Sequence, residues 1–487
     1  MPAPGAAPVK RSEISTNGIA ERVRWLPSTP PGPADLDGRV TNHALVIWGE
    51  QDSQEDNFLV VHDLVVTSRG SHVLRVEDDV VTAWHHRGRM TDLTVCEQGG
   101  GQVTALFGTT EGAVHVLRLV VPRTPGAGPK ELQLLEAPPA WRVASGGAGA
   151  GAGEGDDEDG EEGGAGGGGG GGGGGSEHVA AWLRPHRGAV AAVDMQLDTK
   201  AILTAGQDGA LFVLDMEHVT AAVASASAAG GDAGDGDTMM VDGMEGAGAG
   251  AAGGVPPGVA PYRAGNGCVG HTSARWVDRS LIVTSRTVGG LELWDIRCPP
   301  TPVSRSKPEW GATGLGPADR GCHRVIHCLQ VHPSRPDVCA SGGSGGAVAL
   351  WDLRAASRPL ALTELDAAAG PVWEVRFDTR EGTQYGSDAP TGGAQAPLPA
   401  VLFCTEDGAL CRASASGEAA LGGGSSRMEE VAWRGSSGGG IGMGASRRGV
   451  STLAQLPVAI NSFDVGGPFG SDVVAVTGRQ TLLYMQV

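Results

Sequence analysis

Apolar and polar residues alternate over short stretches of the chain, and these stretches occur in pairs around a glycine. The clearest copies cover 201–215, 281–295 and 338–352. Looser copies cover 103–119, 401–413 and 473–487. Alternation with a period of two, β-branched residues and a turn glycine predict β-hairpins with one buried face. Helix-period patterns are scarce, so the chain is predicted to be all-β.

A third strand precedes each hairpin, for example at 90–95, 190–195 and 326–331. When the low-complexity segments between them are left out of the count, successive turn glycines are separated by distances that scatter about ~40–45 residues, the length of a typical propeller blade. Strands at 45–49 and 57–64 bring the number of blades to seven. The predicted fold is a seven-bladed WD40-type β-propeller with long disordered Gly/Ala/acidic insertions.

The predicted propeller covers residues 22–487, and residues 1–21 are predicted to be a disordered N-terminus. A ring of blades removes exposed sheet edges only when it closes. We therefore expect 22–27 to pair into the last blade, and deletion of the last ten residues to unfold the ring. Four Gly-, Ala-, Ser- and acid-rich segments lack the apolar side chains needed to offset chain entropy, and they are predicted to be disordered loops. They are 145–176, 221–262, 383–399 and 416–449.

The chain of 487 residues carries a formal net charge of −19, which leaves no surplus of basic residues to neutralise nucleic-acid phosphates. Its eight cysteines form no CxxC pair, so we expect reduced thiols. The sequence shows neither a signal peptide nor an apolar run long enough for a membrane span. We therefore expect a soluble nuclear or cytoplasmic protein that does not bind nucleic acid directly.

The sequence contains no GxxxxGK[ST], HExxH or GxSxG motif, so an enzyme, a cofactor and a small-molecule substrate are not predicted. One group of residues has the chemistry of zinc ligands: Cys322, His323, His327, Cys328 and His332. Strand alternation sends His327 and Cys328 to opposite faces, and the spacing matches no zinc finger, which favours ordinary strand and loop residues over a metal site. His85 and His86 are expected in an exposed loop.

Several residues at the hairpins resemble the motif of the WD-repeat family, in which His, Ser or Thr, Asp and Trp form a buried hydrogen-bond network within a blade. These residues are Trp294, Asp295, Trp351, Asp352, His186, Thr204 and Asp208. No blade has all four members, since Leu214 stands where the blade of His186 would have Trp, and Ser344 replaces a turn Asp. The resemblance supports the propeller fold.

A longer series of segments is similar to the forty-three-kilodalton WD-repeat nucleoporin family of the Y-shaped outer-ring complex of the nuclear pore. The segments are Arg24-Trp25, WDIR (294–297), VHPSRPDVCASGG (331–343), WDLR (351–354), VWEVRF (372–377), TEDGAL (405–410) and INSFDV (460–465). This resemblance implies a non-enzymatic scaffold at the nuclear envelope that supports transport of mRNA and protein. It also implies that the partners are other outer-ring nucleoporins, chiefly a helical-solenoid member.

Two interpretations of the exposed residues remain open. Arg297 and Arg354 each follow a Trp by three residues. In this they resemble the motif by which WD-repeat substrate receptors bind the adaptor of cullin-RING ubiquitin ligases. Alternatively, each arginine anchors its own blade. Trp84 and Trp310 are candidate partner-binding residues because both are predicted in loops between strands, although their own loops could also cover them.

Overall fold

A computed structural model describes the strands of the protein and the turns between them. The described residues are 11–16, 18–27, 34, 36–51, 57–69, 72–121, 133–134, 181–183, 185–215, 259–260, 269–306, 325–354, 360–366, 370–378, 399–414, 450–467, 470 and 472–486. Within them, no helix is both long enough and apolar enough to cross a membrane.

The strands follow one another along the chain with a single turn of 3-10 helix, Ser344–Gly346, among the described residues. In the N-terminal half they are β1 (Arg11–Ser15), β2 (Ile19–Trp25), β3 (Arg39–Gln51), β4 (Asn57–Arg69), β5 (His72–His86), β6 (Met90–Gly99), β7 (Gln102–Thr109), β8 (Val114–Val120), β9 (Gln133–Leu134), β10 (Ala181–Leu183), β11 (Val190–Gln196), β12 (Ala201–Gly206), β13 (Leu211–Asp215) and β14 (Val259–Ala260). In the C-terminal half they are β15 (His271–Trp276), β16 (Leu281–Arg286), β17 (Leu291–Asp295), β18 (Ser304–Arg305), β19 (Ile326–His332), β20 (Arg335–Gly343), β21 (Ala347–Asp352), β22 (Leu360–Asp366), β23 (Val372–Phe377), β24 (Val401–Thr405), β25 (Ala409–Ala413), β26 (Val450–Gln455), β27 (Ile460–Gly466), β28 (Asp472–Thr477) and β29 (Thr481–Gln486).

The strands form seven antiparallel sheets, which are the blades of a β-propeller and confirm the predicted fold. In chain order the blades are β2–β5, β6–β10, β11–β14, β15–β18, β19–β22, β23–β26, and β27–β29 with β1. The first strand of each blade lies against the first strands of its neighbours, so these seven inner strands surround the central channel.

Apolar clusters between neighbouring blades form the core. Between the last and first blades, Tyr484 and Trp25 pack edge to face with ring centroids 6.5 Å apart. Between the fifth and sixth blades, Leu350 and Phe403 belong to one buried cluster. Because both faces of most strands are covered by adjacent blades, the hairpins that are marginal alone become stable in the ring.

The turn glycines adopt backbone conformations that other residues rarely reach. Gly112, Gly209, Gly290, Gly346 and Gly408 have φ between 74° and 82°. A Cβ on Gly112 would also lie 2.3 Å from the carbonyl oxygen of His186. The recurrence of glycine at these turns therefore has a local conformational cause.

The N-terminal strand β1 closes the ring. It pairs with β29 over Arg11↔Met485 to Ser15↔Thr481, which makes it the fourth strand of the last blade. The expectation that 22–27 would supply this strand was wrong, because β2 is instead the inner strand of the first blade. The expected disorder of 1–21 is corrected for the same reason, since 11–15 and part of β2 are ordered strands within that range.

The predicted insertions lie almost entirely outside the described residues. Among the described residues they contain the strand β14, Val259–Ala260, which falls within the predicted loop 221–262 but pairs with β13 as the fourth strand of its blade. A short strand of this kind has too little alternation to be recognised before its partner is known.

The first blade is much longer than the others. Its strands β3 and β4 have 13 residues each and β5 has 15, whereas the second and third strands of the other blades have 5 to 9. Inner strand β2 pairs only with the C-terminal part of β3, from Val46 to Gln51. At ~3.3 Å per residue, the part of β3 before this pairing extends the sheet by ~20 Å.

Candidate partner-binding site and the central ion-pair network

The inner strands join neighbouring blades through side chains that bind backbone N–H groups. Among the strands that the structure describes, none pairs with the inner edge of these seven, so the N–H groups of that edge need other acceptors. Acidic, amide and hydroxyl side chains supply them: Asp92 Oδ2 to Val193 N (3.1 Å), Asp194 Oδ2 to Trp276 N (2.8 Å), Gln330 Oε1 to Phe377 N (2.8 Å), Glu374 Oε2 to Phe463 N (3.1 Å), Ser462 Oγ to Val23 N (3.3 Å) and Asp464 Oδ2 to Trp25 N (3.0 Å). In every case the acceptor belongs to the blade that precedes the donor around the ring.

A network of ion pairs fills the channel between these strands. Its members, which we call the central ion-pair network, are Arg24, Asp92, Arg275, Glu374, Arg376 and Asp464. Arg24 Nη2 and Arg376 Nη2 both lie 2.8 Å from Glu374 Oε1. Arg275 Nη1 lies 2.9 Å from Asp92 Oδ2. Three cations face three anions, so the network is neutral overall.

The network favours the ionised forms of Glu374 and Asp92. Burial alone would raise the pKa of Glu374, but the charges of Arg24, Arg376 and Arg22 and the hydrogen bond from Ser462 outweigh burial and lower it to about 2. Burial likewise opposes ionisation of Asp92, yet the adjacent Arg275 lowers its pKa to about 2. Glu374 and Asp92 therefore stay charged across the physiological pH range.

Residues of several inner strands line a cavity of about 50 Å³, with Thr91, His327 and Trp373 among its walls and Arg275 and Glu374 among its polar lining. This volume has room for a few water molecules. Pockets that bind small molecules usually have ~300–1,000 Å³. The cavity is therefore suited to solvent rather than to a substrate.

The WD-motif residues occur as fragments in three different blades. His186 lies 3.0 Å from Asp208 Oδ1 through Nδ1 and 2.9 Å from Thr204 Oγ1 through Nε2. In the next two blades, Trp294 Nε1 donates to Thr284 Oγ1 (3.0 Å) and Trp351 Nε1 donates to Ser341 Oγ (2.8 Å). These contacts lie within single blades and hold the turn and the second and third strands together.

The two arginines of the W-D-x-R segments are exposed and fold back onto their own turns. Arg297 binds Asp295 through Nε to Oδ1 (2.9 Å) and Nη2 to Oδ2 (2.7 Å). Arg354 binds Asp352 in the same way, and its Nε lies 3.1 Å from Asp337 Oδ2. Both side chains are about 70% exposed, so each guanidinium stabilises a turn and still presents a face to solvent.

Trp84 is not an exposed anchor, contrary to the sequence-based expectation. It lies in strand β5 with 3% exposure, within the cluster between the first and second blades. His85 and His86 also belong to β5 rather than to an exposed loop, and His86 is buried beside Phe107. The prediction failed because three consecutive aromatic residues after an acidic stretch gave no clear alternation, although β5 continues through them.

The remaining candidates lie partly within the described residues and partly outside them. Trp310, Cys322 and His323 lie outside the described residues. His327 packs against Trp373 with ring centroids 4.9 Å apart and ring planes tilted by 38°, while the Cys328 thiol donates towards the carbonyl of Gly342 at 3.7 Å. His327 and Cys328 thus contact different parts of the fold.

Sequence reasoning missed the central ion-pair network, although a sign of it was present. Charged residues recur at two equivalent positions along the inner strands, for example at Arg24, Asp92, Arg275, Glu374 and Asp464. Alignment of the seven inner strands by their buried positions would have placed these residues at two levels of one channel. Their pairing across the channel requires the closed ring.

Comparison with known proteins gives partial matches to nucleoporins. No protein-family profile matches the chain. The chain is similar to the nuclear pore complex protein NUP43 of Arabidopsis thaliana, with 33% identity over 156 residues, which covers 30% of this chain and 38% of the relative. It is also similar to nucleoporin Nup43 of Mus musculus (31% over 140 residues, 28% of this chain and 29% of the relative) and of Homo sapiens (30% over 137 residues, 28% of each chain).

The similar region spans well under half the length of each of these relatives. The relatives come from a plant and from two mammals, and all three carry the name of one nucleoporin. These matches confirm the predicted similarity to a WD-repeat nucleoporin.

Proposed function

We propose that the chain is a non-enzymatic scaffold subunit of the nuclear pore complex, located at the nuclear envelope. The observation that carries this proposal is the similarity to NUP43 of Arabidopsis thaliana and to Nup43 of two mammals. The propeller supports it physically, because a rigid ring with a charge-filled channel offers large outer surfaces for protein partners.

Within the pore, the proposed position is the Y-shaped outer-ring complex. The proposed partners are other outer-ring nucleoporins, chiefly a helical-solenoid member, and the assembly supports transport of mRNA and protein. The formal net charge of −19 is consistent with contacts to proteins rather than to nucleic acid.

The test is purification of the tagged full-length chain from nuclear-envelope extract at moderate salt, followed by mass spectrometry. Near-equal amounts of outer-ring nucleoporins are expected in the bound fraction, and a fluorescent fusion is expected at the nuclear rim. Recovery of no nucleoporins, together with diffuse fluorescence, would refute the proposal.

A double variant, Arg297→Ala with Arg354→Ala, separates the scaffold function from a ligase-receptor function. Both side chains are exposed, so the propeller is expected to fold without them. A scaffold retains its nucleoporins in this variant. Loss of a cullin adaptor that the unmodified chain binds, with the fold unchanged, would instead favour the receptor function.

A further inference from the structure

The long outer strand of the first blade is an exposed sheet edge. Strand β5 is the last strand of its sheet and, among the described residues, pairs only with β4. With 15 residues it spans ~50 Å, whereas natural proteins usually keep edge strands short or cover them. An edge of this length is a ready template for an additional strand.

The edge is protected against pairing with a second copy of itself. Two β-bulges, at Leu74 and Val81, interrupt its pairing with β4 and bound a regular run from Arg75 to Val80. The centre of this run is Glu77, Asp78 and Asp79, all exposed. Glu77 forms an ion pair with the exposed Arg75 of the same strand, and Asp78 Oδ2 lies 3.4 Å from His62 Nδ1. Antiparallel pairing of two copies about this centre would place acid against acid, which is unfavourable.

The same acids give the edge a defined chemical preference. Glu77 and Asp79 lie on one face of the sheet, and Val76, Asp78 and Val80 lie on the other, as their register with β4 requires. Val80 is 48% exposed. A complementary antiparallel strand would carry three consecutive basic residues between two apolar ones.

A buried carboxylate of strand β4 faces this acidic run. Asp63 of β4 lies directly opposite Asp79, so two like charges face each other across the strands. Asp63 is only 1% exposed, and its Oδ1 has no hydrogen-bond partner, while its Oδ2 lies 2.6 Å from His43 Nδ1. Burial and the charge of Asp79 are among the causes that raise the pKa of Asp63.

We infer that β5 accepts an extended basic segment of a partner protein as an additional antiparallel strand, with lysine or arginine side chains opposite Glu77, Asp78 and Asp79. Backbone hydrogen bonds to the edge supply affinity, and the acidic run selects a basic partner and sets its register. This inference goes beyond the proposed function and does not require the partner to be a nucleoporin.

The probe is a short synthetic peptide with three consecutive lysines flanked on each side by alternating valine and threonine. Its affinity for the full-length chain is measured by fluorescence anisotropy, and the site by hydrogen exchange of the amides of 75–80. Binding with protection of these amides is expected. Two matched peptides, one with glutamates for the lysines and one with N-methyl groups along one backbone edge, are expected to bind at least about tenfold more weakly.

A charge-reversal variant provides a second test of the same inference. Glu77→Lys with Asp79→Lys is expected to weaken the peptide by at least about tenfold, because like charges then face each other. Asp198→Lys with Glu406→Lys changes the net charge equally at two other exposed positions and is expected to leave binding within about twofold. Equal affinity for both variants, binding without protection of β5, or no binding of the lysine peptide would overturn the inference.

Discussion

Replacement of Glu374 by alanine is expected to destabilise the propeller strongly, because this carboxylate joins three blades. Its Oε1 lies 2.8 Å from both Arg24 Nη2 and Arg376 Nη2. Its Oε2 accepts hydrogen bonds from Ser462 Oγ at 2.5 Å and from Phe463 N at 3.1 Å. The variant leaves the buried Arg24 and the partly buried Arg376 without their shared anion, although Arg376 Nε still lies 3.6 Å from Asp464 Oδ1.

Two estimates of the magnitude agree. Breaking a buried ion pair by removing one partner typically costs ~3–5 kcal/mol. Independently, the fall in the pKa of Glu374 from an ordinary 4.5 to about 2 corresponds to ~3 kcal/mol in favour of the charged form. Arg24 keeps a weaker contact with Asp92 at 3.9 Å, which offsets part of the loss. We expect a decrease of ~3–4 kcal/mol in the free energy of unfolding.

The assay is equilibrium urea unfolding at pH 7, followed by circular dichroism and by tryptophan fluorescence to test for a single transition. Glu374→Gln keeps an acceptor for Ser462 and Phe463 and should fall between the alanine variant and the original chain. Asp198→Ala removes an exposed ion pair with Arg279 and should cost less than ~1 kcal/mol.

The combination of Arg24→Met with Glu374→Met tests the cause of the effect. If uncompensated buried charge is responsible, the double variant should be more stable than either single methionine variant. A decrease below ~1 kcal/mol for Glu374→Ala, or full additivity in the double variant, would refute the reasoning.

The fold also makes three further predictions. Ile14→Asp should unfold the protein or lower its melting temperature by many degrees in a thermal scan, because Ile14 is buried on the strand that closes the ring, and an unchanged melting temperature would exclude this closure. Trp84→Ala should cost ~3–5 kcal/mol in urea unfolding through loss of core packing, whereas a loss of partner binding at unchanged stability would show that Trp84 is an interface residue. Burial lowers the pKa of His62, His86 and His271 to about 4, so between pH 6.5 and 4 these histidines take up protons in the unfolded chain but not in the folded one. The free energy of unfolding should therefore decrease as the pH is lowered through this range, by ~2 kcal/mol per histidine at pH 5. Equal urea midpoints at pH 7 and pH 5 would contradict this sign.

The sequence alone determined most of the strands, the turns between them and the number of blades, because these depend on local properties of the backbone. Alternation along 201–215 and 281–295 marks which residues face a neighbouring blade, and glycine at Gly209 and Gly290 marks backbone with positive φ. Both features can be read within a few residues, without knowledge of the rest of the chain.

Only the tertiary structure decided which strand closes the ring, which tryptophans are buried and which charges meet. Segments 11–15 and 19–25 follow one another along the chain, and which of them pairs with β29 depends on the geometry of the whole ring. Trp84 is buried because the second blade covers it. Arg24 and Glu374 come from distant parts of the chain, so their contact exists only when all seven inner strands converge on one channel.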